Sequence, residues 1–175
     1  VAPLIPIEEV LRRATAGLDG PERGRMLRAS NLYRVLNDPF GVWCDYHAPA
    51  SERVEETSRY EEMRMRGGVE FEEAWVRKRF PDAVQIPGPH GIENLAATLQ
   101  AMRAGARAIH GGVIWELGDE VYGVADLRER WDEGPSDLGP FHYRVTEVKR
   151  SGSVKPYHRL QAALLRDLLA HLGVV

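Results

Sequence analysis

The chain has a single cysteine, Cys44, in 175 residues. That excludes an internal disulfide and any self-contained four-cysteine zinc or iron–sulfur site. Cys44 has no evident base beside it and reads as a packing residue, and a reduced, cytoplasmic setting is the expectation. No apolar run approaches the roughly 20 residues that cross a bilayer, and the opening Val-Ala-Pro-Leu-Ile-Pro lacks the basic flank of a signal peptide, so no membrane partner is expected. A Gly-x-Ser-x-Gly elbow, a Gly-x-x-x-x-Gly-Lys phosphate loop and a dinucleotide fingerprint are all missing, which leaves little room for the common hydrolase, nucleotidase and dehydrogenase designs. The six histidines are scattered, with no pair at zinc-ligand spacing. A large basic excess is lacking too: the net charge is −3, unlike that of a strongly electrostatic nucleic-acid binder. It still permits a nucleic-acid partner, because Lys and Arg can be concentrated locally while acids gather elsewhere.

Such clusters are present. Arg12, Arg13, Arg23, Arg25 and Arg28 crowd one early region, and Arg64, Arg66, Arg77, Lys78 and Arg79 another. Each is ordinarily a solvated helix face, with phosphate contact the competing reading. Hydrophobic residues at 43% beside 28% charged residues are ordinary for a globular chain, and the length supports one sizeable core.

Helical spacing runs from Ile7 to Ala16. Ser30 is a candidate N-cap for a helix over Asn31 to Leu36, ending before Asn37-Asp38-Pro39. Arg53 to Phe80 reads as helix, and Gly67-Gly68 inside it predicts a break, a tight approach or a turn. A short strand is expected at Val84 to Ile86. A second long helix spans Glu93 to Ile109, with Leu95, Leu99, Met102 and Ala106 as its apolar stripe. Strands follow at Val113 to Leu117 and Val121 to Arg128, turned by Gly118-Asp119. Trp131 to Phe141 reads as a structured loop. A strand at Tyr143 to Val148 and a helix from about Pro156 to Leu172 complete the pattern, which is α+β. The absence of an initial Met, and a helix stopping at Gly173 with a strand beginning after it, read as an excerpt of a longer protein.

Chemistry concentrates in Gly123-Val124-Ala125-Asp126-Leu127 and Tyr143-Arg144-Val145-Thr146-Glu147-Val148-Lys149. On a strand Glu147 and Lys149 share a face while Val148 points into the core. If the two segments pair, Asp126 lies beside them. Two carboxylates and an ammonium on one surface are what metal-assisted phosphodiester hydrolysis requires. The competing reading is a solvated sheet face with weak cross-strand ion pairs. Charges inside such apolar, β-branched runs are costly unless they bind something.

In order and spacing these segments resemble the RecB-like branch of the PD-(D/E)XK nucleases, a bacterial family whose domain often precedes a ribonuclease-H-like exonuclease module. The resemblance runs from about Ser30 to the C-terminus. It is carried by Ala29-Ser30-Asn31-Leu32, Asp38-Pro39, Gly68-Val69-Glu70-Phe71-Glu72, Gly123 to Leu127, Gly134-Pro135-Ser136-Asp137-Leu138-Gly139-Pro140, Tyr143 to Lys149 and Leu160-Gln161. It implies a restriction-endonuclease-like core over residues 30–175, with a small mixed or antiparallel central sheet flanked by helices, and a helical extension over residues 1–29. It implies a metal-dependent DNA nuclease using Mg²⁺ or Mn²⁺, with DNA as partner and a C-terminal exonuclease or helicase module as a further one. Asp126 would be the central metal ligand, Glu147 the second acid and Lys149 the catalytic lysine. Glu72 would complete the metal site from a helix, and Gln161 would face the cleft from the last one.

Two positions depart from the family pattern. Phe71 stands where relatives place a metal-ligating histidine, and Leu165 where a tyrosine follows the glutamine by four residues. Water can fill one vacancy in an oxygen-rich Mg²⁺ site, whereas losing an imidazole changes metal preference. These departures support a second reading, a module that keeps the fold and binds nucleic acid or scaffolds a complex without cleaving. The residues also have plainer readings. Glu72 could be a first-turn glutamate complementing a helix dipole and Gln161 a surface glutamine. Lys155 and His158 could meet a phosphate or water. Trp43, Trp75, Trp115 and Trp131 read as core or rim packing rather than base-stacking platforms.

Overall fold

The computed structural model of the chain describes residues 9, 12, 27–52, 58–88, 91–115 and 121–175. Most of the expected Ile7–Ala16 helix and 1–29 extension, and the Gly118-Asp119 turn, lie outside them. In chain order the described elements are β1 (Leu27–Arg28), a 3-10 turn (Ala29–Asn31), α1 (Leu32–Asn37), α2 (Pro39–His47), a second 3-10 turn (Ala50–Glu52), α3 (Arg59–Arg79), β2 (Val84–Ile86), α4 (Ile92–Arg103), β3 (Ala108–Gly111), β4 (Val113–Trp115), β5 (Val121–Val124), β6 (Leu127–Trp131), β7 (His142–Thr146) and α5 (Pro156–His171). The architecture is α+β, with two small mixed sheets flanked by helices. One sheet has the order β1-β5-β4 and the other β2-β3-β6-β7. β1 with β5 and β2 with β3 are parallel pairs, and the other neighbours are antiparallel.

The two sheets share one bent hairpin. β3 passes into β4 through Gly111 and Gly112, at φ +68° and +84°, conformations that side-chain-bearing residues rarely adopt. A Cβ on Gly112 would lie 2.4 Å from Thr98 Oγ1. Opposite, β5 passes into β6 through Ala125 and Asp126, and Gly111 N–H donates to the Asp126 carbonyl at 3.2 Å. The expected continuous strand from Val121 to Arg128 is therefore broken at Asp126.

Local sequence accounts for the helices. A reciprocal cap starts α3: Glu61 N–H donates to Ser58 Oγ at 3.2 Å and Ser58 N–H to Glu61 Oε2 at 2.9 Å. Arg77, Lys78 and Arg79 complement the dipole at its other end. The break anticipated at Gly67-Gly68 does not occur. Gly67 instead permits a close approach, since a Cβ there would lie 2.9 Å from Arg150 Nη1. α4 ends six residues before the expected Ile109. Gly105, at φ +72°, closes a Schellman turn in which Gly105 N–H donates to Met102 O and Ala106 N–H to Ala101 O. Ile109 thus belongs to β3. Ser30 caps nothing: the turn Ala29–Asn31 precedes α1, whose N-cap is Asn31. α2 was not anticipated; Asp38 Oδ1 accepts from Gly41 N–H and Pro39 opens the first turn.

Leu95, Leu99 and Met102 of α4 pack with Ile109, Val113, Ile114 and Tyr143 of the sheets and Leu168 and Leu169 of α5. A second cluster joins Val76 of α3 to Ala108 and Leu127, fixing the helix across β3 and β6. Trp115 is buried as expected, but Trp43 is 56% exposed, beside exposed Phe40 on α2. Ser136 to Gly139 form a turn in which Asp137 N–H donates to Gly173 O at 2.8 Å and Ser136 Oγ bonds Phe141 O. The Gly-Pro-flanked motif thus secures the end of α5. No helix among the described residues is long and apolar enough to cross a membrane.

Candidate active site

Asp126 stands at the bend between β5 and β6, and Leu127 pairs with Thr146, the last residue of β7. Glu147 and Lys149 lie just beyond the strand rather than on it, correcting the expected strand to Val148. They still meet Asp126. Val148 N–H donates to Asp126 Oδ2 at 2.7 Å, which ties the segment to the bend. Lys149 Nζ donates to Asp126 Oδ2 at 3.1 Å and to Glu147 Oε2 at 2.7 Å. Val148 therefore orders the site through its backbone.

Glu72 comes from the middle of α3, so a first-turn role complementing the dipole is excluded. Its Oε1 lies 2.9 Å from His110 Nε2, and His110 Nδ1 lies 2.5 Å from Gln85 Oε1. His110 is on β3, opposite Leu127, so Glu72 is drawn toward Asp126. Phe71, the neighbouring residue on α3, is 40% exposed.

The electrostatics describe a site short of positive charge. Burial, then the Asp126 charge, lifts the Glu147 carboxyl to about 7 despite Lys149. The same two causes raise the Glu72 pKa, against His110 and Lys149. Burial works against the Lys149 ammonium, but Asp126 and Glu147 outweigh it and its pKa is raised. Below lies Arg128, 1% exposed, donating to Gly111 O at 2.6 Å and Gly112 O at 3.1 Å. Burial lowers the guanidinium to about 10, partly offset by Glu147.

Glu147 Oε1 is buried and without a hydrogen-bond partner. An orphaned carboxylate oxygen beside a second carboxylate fits a hard divalent cation. As arranged, Lys149 bridges Asp126 and Glu147, and among the described residues no three acidic, histidine or cysteine side chains stand together as a ready ligand set. Gln161 on α5 forms no hydrogen bond with this network; it lies one turn before Leu165, which packs on Ala29 and Ala125. A cavity of about 460 Å³ opens beside Glu147 and Lys149, lined also by Ser153, His158 and Arg159. Lys155 N–H donates to His158 Nδ1 at 3.1 Å. Partial burial and the Lys149 and Lys155 charges lower the His158 pKa.

Three participants were missed in the sequence: His110, Gln85 and Arg128. Gly105 held the signal for the first. A helix stopped there leaves Ala108-Ile109-His110-Gly111 as a strand, with His110 opposite in face to buried Ile109. Comparison with protein families, curated proteins and solved structures finds no match for the chain.

Proposed function

We propose that the chain is a metal-dependent deoxyribonuclease domain that hydrolyses phosphodiester bonds, built on a PD-(D/E)XK-type core. The observation that carries this reading is the meeting of Asp126, Glu147 and Lys149, in which the second Glu147 carboxylate oxygen, Oε1, is buried with no partner. Asp126 and Glu147, with Glu72, would hold Mg²⁺ or Mn²⁺. When bound, the cation supplies Lewis-acid charge for the reacting phosphate and acidifies water. Lys149, released from its bridge, orients the attacking water and offsets charge developing on the phosphoryl oxygens. The adjoining cavity, with Lys149, His158 and Arg159, suits the anionic backbone of DNA. Gln161 would steady the cleft side. Repair, recombination or foreign-DNA processing in a cytoplasmic setting, alongside an exonuclease or helicase module, is the biological frame proposed.

Asp126→Ala should lose cleavage by at least about 100-fold while its circular dichroism spectrum stays unchanged. Cleavage retained in the purified variant would sink the assignment. The Lys149 bridge favours one other reading, a nucleic-acid-binding or scaffolding module with no catalysis. It predicts DNA binding without cutting in every divalent metal.

A further inference from the structure

The pairing of His110 has a polarity that bears on the cation. A neutral imidazole carries one N–H and one lone pair. Its Nδ1 faces Gln85 Oε1 at 2.5 Å, and its Nε2 faces Glu72 Oε1 at 2.9 Å. Both partners are acceptors, so one proton cannot serve both. With Nδ1–H donated to the Gln85 amide oxygen, the Nε2 lone pair faces the Glu72 carboxyl, and a divalent cation can take the place of the proton that otherwise joins the two. An amide fixing one ring nitrogen while the other is presented next to carboxylates is how metal-binding histidines are oriented. The ring is largely buried, with 14% of its side chain exposed. Its strand is bonded to Asp126 through Gly111 N–H.

We propose that His110 Nε2 is a nitrogen ligand of the divalent cation, oriented by Gln85, and that it biases the site toward Mn²⁺ over Mg²⁺. The inference rests on the reading of the site as metal-dependent. Nitrogen donors favour Mn²⁺ relative to Mg²⁺, which prefers oxygen and water. His110 thus joins Glu72 on one side of Asp126, while Glu147 and Lys149 occupy the other.

The test is pulsed electron paramagnetic resonance of the metal-free protein titrated with MnCl₂, with calorimetric titration of MnCl₂ and MgCl₂. Wild type should show ¹⁴N modulation from a directly bound imidazole. His110→Gln should lose it and weaken Mn²⁺ binding by about tenfold or more, with Mg²⁺ binding changed much less. His158→Gln should keep the modulation. Gln85→Leu should weaken Mn²⁺ binding roughly tenfold, and it serves if His110→Gln does not fold. Mn²⁺ bound in an Asp126-dependent way without ¹⁴N modulation would overturn the ligand role and leave the nuclease reading standing. Modulation that survives in His110→Gln would overturn it equally. Failure of wild type to bind either metal would overturn both.

Discussion

At Glu147 one carboxylate oxygen meets Lys149 and the other is buried without a partner, so ionising this group costs more than it does in water. Its folded pKa of about 7 lies above the ordinary glutamate value, so between these limits the folded protein holds a proton that the unfolded chain releases. The resulting stability is fully present at acid pH and is lost as pH rises through 7; Glu72, also raised, acts in the same direction. The metal-free protein should therefore melt at a lower temperature at pH 8 than at pH 6, and Glu147→Gln should flatten that slope. Calorimetry across the interval decides it, and a wild-type melting temperature that climbs with pH would contradict the account. Bound metal should reverse the trend by replacing the missing proton. Asp126, Glu147 and Lys149 were legible in the sequence because acids and a lysine inside apolar runs demand a reason. His110 was not, because its partner Gln85 and its neighbour Glu72 are 25 and 38 positions away.

Glycines separate the elements that could be read from those that could not. In α3, Gly68 has open space where a Cβ would stand, whereas Gly67 is approached by Arg150. Gly68→Ala should stabilise the protein by about 0.5–1 kcal/mol through helix propensity, and Gly67→Ala by less, because Arg150 must move. Gly112→Ala should destabilise by about 1–3 kcal/mol, having both a positive φ and a clash with Thr98. Urea denaturation ranks the three, and equal effects would show that backbone context does not govern them. Arg128 belongs to this scale because it clamps the same bend through two carbonyls. Arg128→Leu should destabilise by several kcal/mol, since those carbonyls lose their donor and Glu147 loses a nearby cation. The bend was invisible in the sequence for a physical reason. Val121 to Arg128 carries Val121, Tyr122, Val124 and Leu127 with no turn dipeptide between them, and the bend at Asp126 comes with the tertiary pairing of Gly111 N–H to the Asp126 carbonyl.

The whole molecule assembles its candidate site where two small sheets share one hairpin and three helices approach. α3 brings Glu72, α5 borders the cavity and α4 supports the bend from behind through Thr98. The α+β class and the approximate places of α1, α3, β2, β4, β7 and α5 followed from periodicity and turn residues, whereas β1, α2, β3 and the separation of β5 from β6 did not. The division into two sheets did not, because local pattern carries no information on which strands pair across 27 to 121. In the proposed function this assembly cuts DNA with a divalent cation and Lys149. The most direct measurement incubates purified protein and its Lys149→Ala variant with labelled linear and circular, single- and double-stranded DNA in Mg²⁺, Mn²⁺ or EDTA. The account predicts metal-dependent cleavage by wild type that falls at least about 100-fold in the variant. Cleavage that persists in EDTA, or undiminished in Lys149→Ala, would contradict it, as would binding without cutting in every lane.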